Sequence, residues 1–201
     1  DYKIARLDLD STRNRKNLEK IISDFENNET NILIGTQMVS KGLDFNNVGL
    51  VSILNADNLL NFPDFRAHER SFQLMAQVSG RAGRRNRQGQ VILQTSQPKH
   101  PIIGYVIDND YKAMFESQCR EREIFGYPPF GRLIELVLKN KNKNSCERAA
   151  RKLAAILKSS LGKRVIGPEE PLIARIQTYH LQHLYLKIEK NASLPQVRQI
   201  I

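Results

Sequence analysis

Short β-branched runs alternate with helix-spaced apolar residues over the first half of the chain. YKIARLD (2–8) alternates weakly and predicts a strand. Leu18, Ile21, Ile22 and Phe25 then recur at i, i+3, i+4 and i+7, one face of a helix, with Ser11 or Thr12 as its cap and Asn27-Asn28 as its stop. NILIG (31–35), VGLVSIL (48–54) and QVILQT (90–95) are continuous apolar runs and predict buried strands, the last two separated by a helical stretch from Phe65 to Val78. Strands alternating with helices predict a parallel sheet covered on both faces, so residues 1–97 read as one α/β unit.

Pro98 and Pro101 punctuate the end of that unit. A charged helical connector follows within 98–131, and Tyr127-Pro128-Pro129-Phe130-Gly131 is a stiff turn at a domain boundary. RLIELVLK (132–139) alternates as a strand, and Asn144 with Glu147 makes a capping-box-like helix start. That helix carries the stripe Cys146, Ala149, Ala150, Leu153, Ile156, Leu157 and Leu161. KRVIG (163–167), PLIARIQT (171–178) and QHLYLKI (182–188) predict three more strands, the first two open to reading as one bent strand. A helix begins near Leu194-Pro195. The order β-α-β-β-β-α over 132–201 resembles a ferredoxin-like βαββαβ without its last strand. The chain is therefore expected to begin and end inside domains.

Composition narrows the class. Of 201 residues, 40% are hydrophobic and 26% charged, a globular balance that excludes wholesale disorder and fibrous repeats. The longest apolar run is far short of the roughly 20 residues of a membrane span, and no apolar leader opens the sequence. Cys119 and Cys146 are too few for a zinc cage or a disulfide scaffold, which points to a reducing cytoplasm. The net charge is +10, with +3 in residues 1–100 (14 basic, 11 acidic) and +7 in residues 101–201 (17 basic, 10 acidic). That excess favours an anionic partner, nucleic acid before others. Gly162-Lys163 is the sole Gly-Lys pair and lacks the rest of a G-x-x-x-x-G-K-[ST] loop, so this sequence has no phosphate loop.

Two segments carry chemistry: GTQMVSKGLDF (35–45), directly after a strand, and QVSGRAGR (77–84), at the end of a helix. In the second, Arg81 and Arg84 each follow a glycine and bring a rigid charged fork to a place where backbone can approach a phosphate. Such arginines stabilise charge that develops in phosphoryl transfer. The competing reading, a solvated Gly-Arg turn, weakens once the first segment is seen about 40 residues upstream. VSILNAD ends in Asp57 and imitates a Mg²⁺-holding strand end, but no phosphate loop precedes it. Arg66, Glu69 and Arg70 read as a salt-bridge network before a DNA contact, Arg85 and Arg87 as solvated or backbone-contacting cations, and His180 and His183 as scattered surface histidines.

The pairing of the two segments resembles motifs V and VI of superfamily-two helicases. ADNLLNFPDFRAHERSFQLMAQVSGRAGR (56–84) resembles more specifically the PriA (primosomal protein N′) family of replication-restart DNA helicases. GQVILQTSQPKHP (89–101) and Arg122-Glu123 followed by Tyr127-Pro128-Pro129-Phe130 support it. The resemblance spans the chain, is strongest over about 31–131, and rests on position and pattern after 132. It implies a second RecA-like lobe at 1–97 and most of the family's C-terminal domain at 132–201. It implies an ATP-dependent 3′ to 5′ helicase that restarts stalled forks and assembles the primosome in the bacterial cytoplasm, at the nucleoid. ATP and Mg²⁺ would be bound mainly by a first lobe absent from this sequence, and zinc by a cysteine-rich insertion, with no metal held here. Partners would be forked and single-stranded DNA, single-stranded-DNA-binding protein and other primosome proteins, with no membrane. Arg84 would be the arginine finger and Arg81 a second γ-phosphate contact. Gln77, with Gly80 and Gly83, would face nucleotide or the lobe interface, and Asp44 would approach the ribose or couple the lobes. Gly35, Thr36 and Gln37 would contact single-stranded DNA phosphates, with Lys41 and Gly42 as the hinge of that element. The piece alone is expected to be inactive. The other reading is a non-enzymatic basic module for nucleic acid or a protein partner, which has no need of Q-x-x-G-R-x-G-R behind G-T-Q.

Overall fold

The computed structural model describes residues 2–8, 14–36, 45, 48–83 and 89–200. The chain divides into two compact units, 1–116 and 117–201. No helix among the described residues is long and apolar enough to cross a membrane.

In the first unit, β1 (Ile4–Leu7) and β2 (Ile32–Gly35) flank α1 (Arg15–Glu26) and pair in parallel, with Leu7 opposite Gly35. Asn14 caps α1, its side chain accepting the Lys16 amide at 3.0 Å; Ser11 and Thr12, read as the cap, lie outside the described residues. Asn27 ends the helix and Asn28 turns the chain at φ 61°, a left-handed value asparagine tolerates. β3 (Leu50–Ile53) and β4 (Gln90–Leu93) form a second parallel pair, joined through α2 (Asp57–Leu60) and α3 (Ala67–Ser79). α4 (Pro101–Ile107) follows, and α5 (Tyr111–Ile124) runs through the division at 116/117.

The core of this unit is Ala56, Leu60, Phe72, Met75, Ile102, Ile103, Val106 and Met114, with Ile53 and Leu93 packed against it. Three expectations need correction. Residues 98–131 are more than a connector, because Ile102 through Met114 supply half of that core. Pro101 does not merely punctuate: it is the first residue of a helix, where its missing N–H is no loss, and His100 Nδ1 caps the turn by accepting the Ile102 amide at 3.2 Å. The strands read as buried are also largely open. Ile32, Ile34, Leu50, Val91 and Ile92 are exposed, whereas Ile53 and Leu93 face the helices. An unbroken apolar run does not tell one-sided from two-sided packing.

In the second unit, β5 (Gly131–Asn140), α6 (Lys143–Leu161), β6 (Val165–Glu169), β7 (Arg175–Ile176), β8 (Tyr179–Glu189) and α7 (Leu194–Ile200) follow in the order the pattern predicts. β8 pairs antiparallel with β5 on one side and β6 on the other, and short β7 folds back on it. Alternation along β8 sends Leu184, Leu186 and Ile188 into a core with Ala150, Ala154, Leu157, Leu161 and Val165. Tyr179, His183, Tyr185 and Lys187, at odd positions, share the other face.

The cap of α6 is Asn142 rather than Asn144, its side chain accepting the Ser145 amide at 2.9 Å, while Glu147 pairs with Arg151 at 3.4 Å. The buried row runs Cys146, Ala150, Ala154, Leu157, Leu161; Ala149 and Ile156, read into the stripe, are exposed. The i, i+4 ladder of small residues decides which face fits the sheet, and the larger side chain at Ile156 is left outside.

Candidate nucleotide and DNA site

The turn after α3 gathers four of the predicted residues. Gln77 is exposed on α3 and lines a cleft of about 320 Å³ with Asn58, Phe62 and Arg70. Gly80 caps the helix, its N–H donating to the Ala76 carbonyl at 3.0 Å. Arg81 and Ala82 continue the turn, their amides donating to Val78 and Ser79. Gly83 then leaves it at φ 73°, its amide donating to the Val48 carbonyl just ahead of β3 at 3.1 Å.

Gly89 brings the chain back against the same place. A Cβ on Gly89 would collide with the Gly83 amide and the Ala82 carbonyl carbon, and the next amide, Gln90, donates to the Gly49 carbonyl at 2.9 Å. Gly83 and Gly89 therefore form a close neck pinned to Val48-Gly49. The glycines do different jobs. Gly83 supplies a left-handed φ and Gly89 a close approach, whereas Gly80 is α-helical and has room for a Cβ. Gly80 is thus not required by conformation, contrary to the reading that treated the glycine before each arginine alike.

The other predicted group sits on a different strand. Gly35 ends β2 and Thr36 follows it, both exposed. Phe45, at the far end of GTQMVSKGLDF, is buried and meets Phe25 of α1 edge-on, ring centroids 4.7 Å apart. Both ends of that segment are thus tied to the β1-α1-β2 element. Gln37, Lys41, Gly42, Asp44 and Arg84, and with them Arg85 and Arg87, lie outside the described residues.

Asp57 is a latch. One carboxylate oxygen accepts the Thr95 hydroxyl, and the other accepts the Ser96 amide at 2.9 Å and its hydroxyl at 2.7 Å. These three donors tie Asp57 to the end of β4, and no group of three or more His, Cys, Asp or Glu among the described residues is placed to hold a metal ion. The Thr95 hydroxyl first, then the Ser96 groups, holds the Asp57 carboxyl below the 3.8 of a free aspartate. A carboxyl depressed in the folded state stabilises it above the unfolded value and stops doing so as pH falls through the folded one. The melting temperature of the first unit should therefore drop as pH falls below about 4, and Asp57→Asn should blunt that drop. Parallel acid limbs for both proteins in thermal melts between about pH 3 and 6 would refute the latch.

Asp64 organises the neighbouring cations. Its carboxylate accepts from Arg66 Nε and Nη2 at 3.0 and 2.9 Å and from Arg70 Nη1 at 2.8 Å, and Arg66 holds it below the free value. Arg66 and Arg70 thus form the salt-bridge network preferred above, while Glu69 accepts from Gln73 at 3.2 Å. Asp64 and Gly89 escaped the sequence reading. The only signals were an Asp two residues before Arg66 and a Gly ahead of an apolar run. His183 is no surface stray: its Nδ1 lies 2.7 Å from Glu135 Oε1, which also accepts the Tyr185 hydroxyl at 3.0 Å.

Two family models match the chain: the helicase conserved C-terminal domain over residues 1–86 and the primosomal protein N C-terminal domain over residues 123–201. The chain is similar to replication restart protein PriA of Synechocystis sp., 37% identical over 100% of this chain and 25% of that protein. It is similar also to PriA of Bacillus subtilis, 37% identical over 96% of this chain and 24% of that protein, and of Treponema pallidum, 37% over 100% and 30%. It thus spans about a quarter of the length of the curated relatives it matches. With a helicase C-terminal domain followed by a primosomal protein N C-terminal domain, and this level of identity along the whole chain, the chain belongs to the PriA family of replication restart proteins.

Proposed function

We propose that this chain is part of an ATP-dependent 3′ to 5′ DNA helicase that restarts stalled replication forks and assembles the primosome, acting in the bacterial cytoplasm at the nucleoid. Residues 1–97, within the first unit, are its second RecA-like lobe, and 98–131 leads to the C-terminal domain. The sheet order β5-β8-β6 supports a ferredoxin-like βαββαβ arrangement without a last strand for 132–201. The observation that carries the reading is the neck at Gly83 and Gly89, which fixes the root of the arginine-bearing segment at the end of α3. From there Arg84 would neutralise charge developing on the transferred phosphoryl, with Arg81 as a second contact and Gln77 and Asp44 toward the nucleotide or the lobe interface.

ATP and Mg²⁺ would be held by another lobe of the longer protein, since this sequence has no phosphate loop. The isolated chain would not hydrolyse ATP. Gly35, Thr36 and Gln37 would bind single-stranded DNA phosphates through backbone amides and the threonine hydroxyl, with Lys41 and Gly42 as hinge. Single-stranded-DNA-binding protein and other primosome proteins are the expected protein partners.

The test is a DNA titration of ATPase rate in the full-length protein. Thr36→Ala should raise the single-stranded DNA needed for half-maximal rate about tenfold, the worth of one hydrogen bond to a charged oxygen, and leave nucleotide binding without DNA unchanged. An unchanged titration would remove Thr36 from the DNA site, and a loss of nucleotide binding would move it to the other ligand.

A further inference from the structure

Helix α4 supplies Ile102, Ile103 and Val106 to the core of the first unit, beside Phe72 and Met75 of α3. Its first turn has few ways to satisfy its backbone donors. Pro101, the first helical residue, has no N–H, and the Ile103 and Gly104 amides donate to the His100 carbonyl at 2.9 and 3.4 Å. The Ile102 amide donates instead to the His100 ring, 3.2 Å from Nδ1. Ile102 is 2% exposed, which leaves water little access to that amide. A buried donor left unmet carries its full desolvation cost, so this turn depends on one imidazole nitrogen.

An amide nitrogen only donates. Nδ1 is therefore bare, and the neutral ring carries its proton on Nε2. A second proton has only Nδ1 to go to. There it would turn the acceptor into a donor facing another donor, and would set a cation at the positive end of α4. The ring is half-buried and meets His68 edge-on, centroids 5.1 Å apart. His68 belongs to α3, the helix packed against α4, and is the titratable group turned toward His100 from there. Its own protonation would add a like charge at the same place. Lys99 adjoins His100 in the chain, and the Asp57 carboxylate of α2 is bonded to Thr95 and Ser96 at the end of β4.

We propose that His100 is a proton-sensitive cap on α4: with Nδ1 bare it closes the first turn, and protonation releases Ile102 and loosens the edge of the core made by Ile102, Ile103 and Val106. The protonated ring is at home only in the opened or unfolded chain. The stability that the cap contributes is therefore present at the upper end of the range in which imidazoles titrate, from about pH 8 down to 5.5, and is lost toward the lower end. Asp57 acts at lower pH, so the two latches are read separately. Phe72 and Met75 share the core with α4, and their helix ends at Gly80, so the loosening reaches the packing under the turn that carries Arg81. The cap works this way whatever that turn binds.

The experiment is amide NMR with thermal melts of the 201-residue chain, from about pH 8 to 5.5. In the parent, the Ile102 amide resonance should move with pH along the titration of the His100 ring. The melting temperature should fall toward acid by about 4 °C more than in His100→Asn, which keeps a side-chain acceptor at the cap but has no proton to gain. His100→Asn should match the parent at the upper pH, with an Ile102 amide that stays in place. His100→Ala should start about 4 °C lower and show only the reduced fall. His68→Gln should keep the parent's Ile102 titration. His180 and His183 lie in the second unit and are common to all four proteins. An Ile102 amide that does not move in the parent overturns the proposal, and so does a full pH dependence retained in His100→Asn. Loss of that dependence in His68→Gln alone would give the titration to His68 and overturn it equally. If His100→Asn does not fold, the Ile102 titration of the parent decides.

Discussion

In the full-length enzyme, Arg84→Ala is expected to lower kcat for DNA-dependent ATP hydrolysis on the order of 10³-fold, about 4 kcal/mol, and to change the KM for ATP much less. An arginine finger meets charge that exists only in the transition state, so its removal spares ground-state binding. Arg84→Lys should not restore the rate, because a point ammonium cannot present the planar fork that spans two phosphoryl oxygens. Binding of single-stranded DNA without nucleotide should survive, since Thr36 leaves β2 on a different element from the α3 turn. The measurement is a steady-state ATPase titration over both ATP and DNA. Normal hydrolysis with lost DNA affinity would turn the 77–84 segment into a DNA-binding loop and remove the nucleotide assignment.

How much of this was legible in the sequence depends on how local the determining physics is. The element order of the second unit follows from periodicity alone, because β8 alternates over eleven residues and α6 keeps an i, i+4 ladder over nineteen. Helix α4 is less legible, since a proline after polar residues is equally a loop mark and a first helical residue, and only the burial of Ile102 and Ile103 decides it. The Asp57 latch is not legible at all. Its donors lie 38 and 39 residues away, and an Asp closing an apolar strand looks like a metal ligand until Thr95 and Ser96 are brought to it. The site divides in the same way. Residue type and spacing mark Gln77, Arg81 and Arg84, but the role of each glycine needs φ and the neighbouring backbone, and these separate Gly83 and Gly89 from Gly80.

That separation leads to a second large effect. Gly89→Ala is expected to lower ATP turnover in the full-length enzyme about a hundredfold, although residue 89 touches neither ligand in the proposed site. The added Cβ would meet backbone rather than a side chain that can swing away, so either the neck at Gly83 or the start of β4 must move. β4 is held in register on β3 through four residue pairs, from Leu50–Gln90 to Ile53–Leu93, whereas Gly83 is held by one hydrogen bond to Val48. The weaker side should give, and it is the side that carries Arg84. A displacement on the order of 1 Å at a group that must meet a transition state is enough for a loss of that size. Gly83→Ala should act in the same direction, with about 1–2 kcal/mol of left-handed backbone strain. Gly80→Ala should leave the rate unchanged and stabilise by about 0.4–1 kcal/mol, because its φ of −65° is helical and its Cβ would lie 3.5 Å from the nearest atom. The three variants form a graded series read by kcat, by KM for ATP and by DNA affinity. A fall in kcat for Gly89→Ala with DNA affinity and melting temperature retained places the neck in the positioning of Arg84. Equal activity of Gly89→Ala and Gly80→Ala would show that the neck is packing alone.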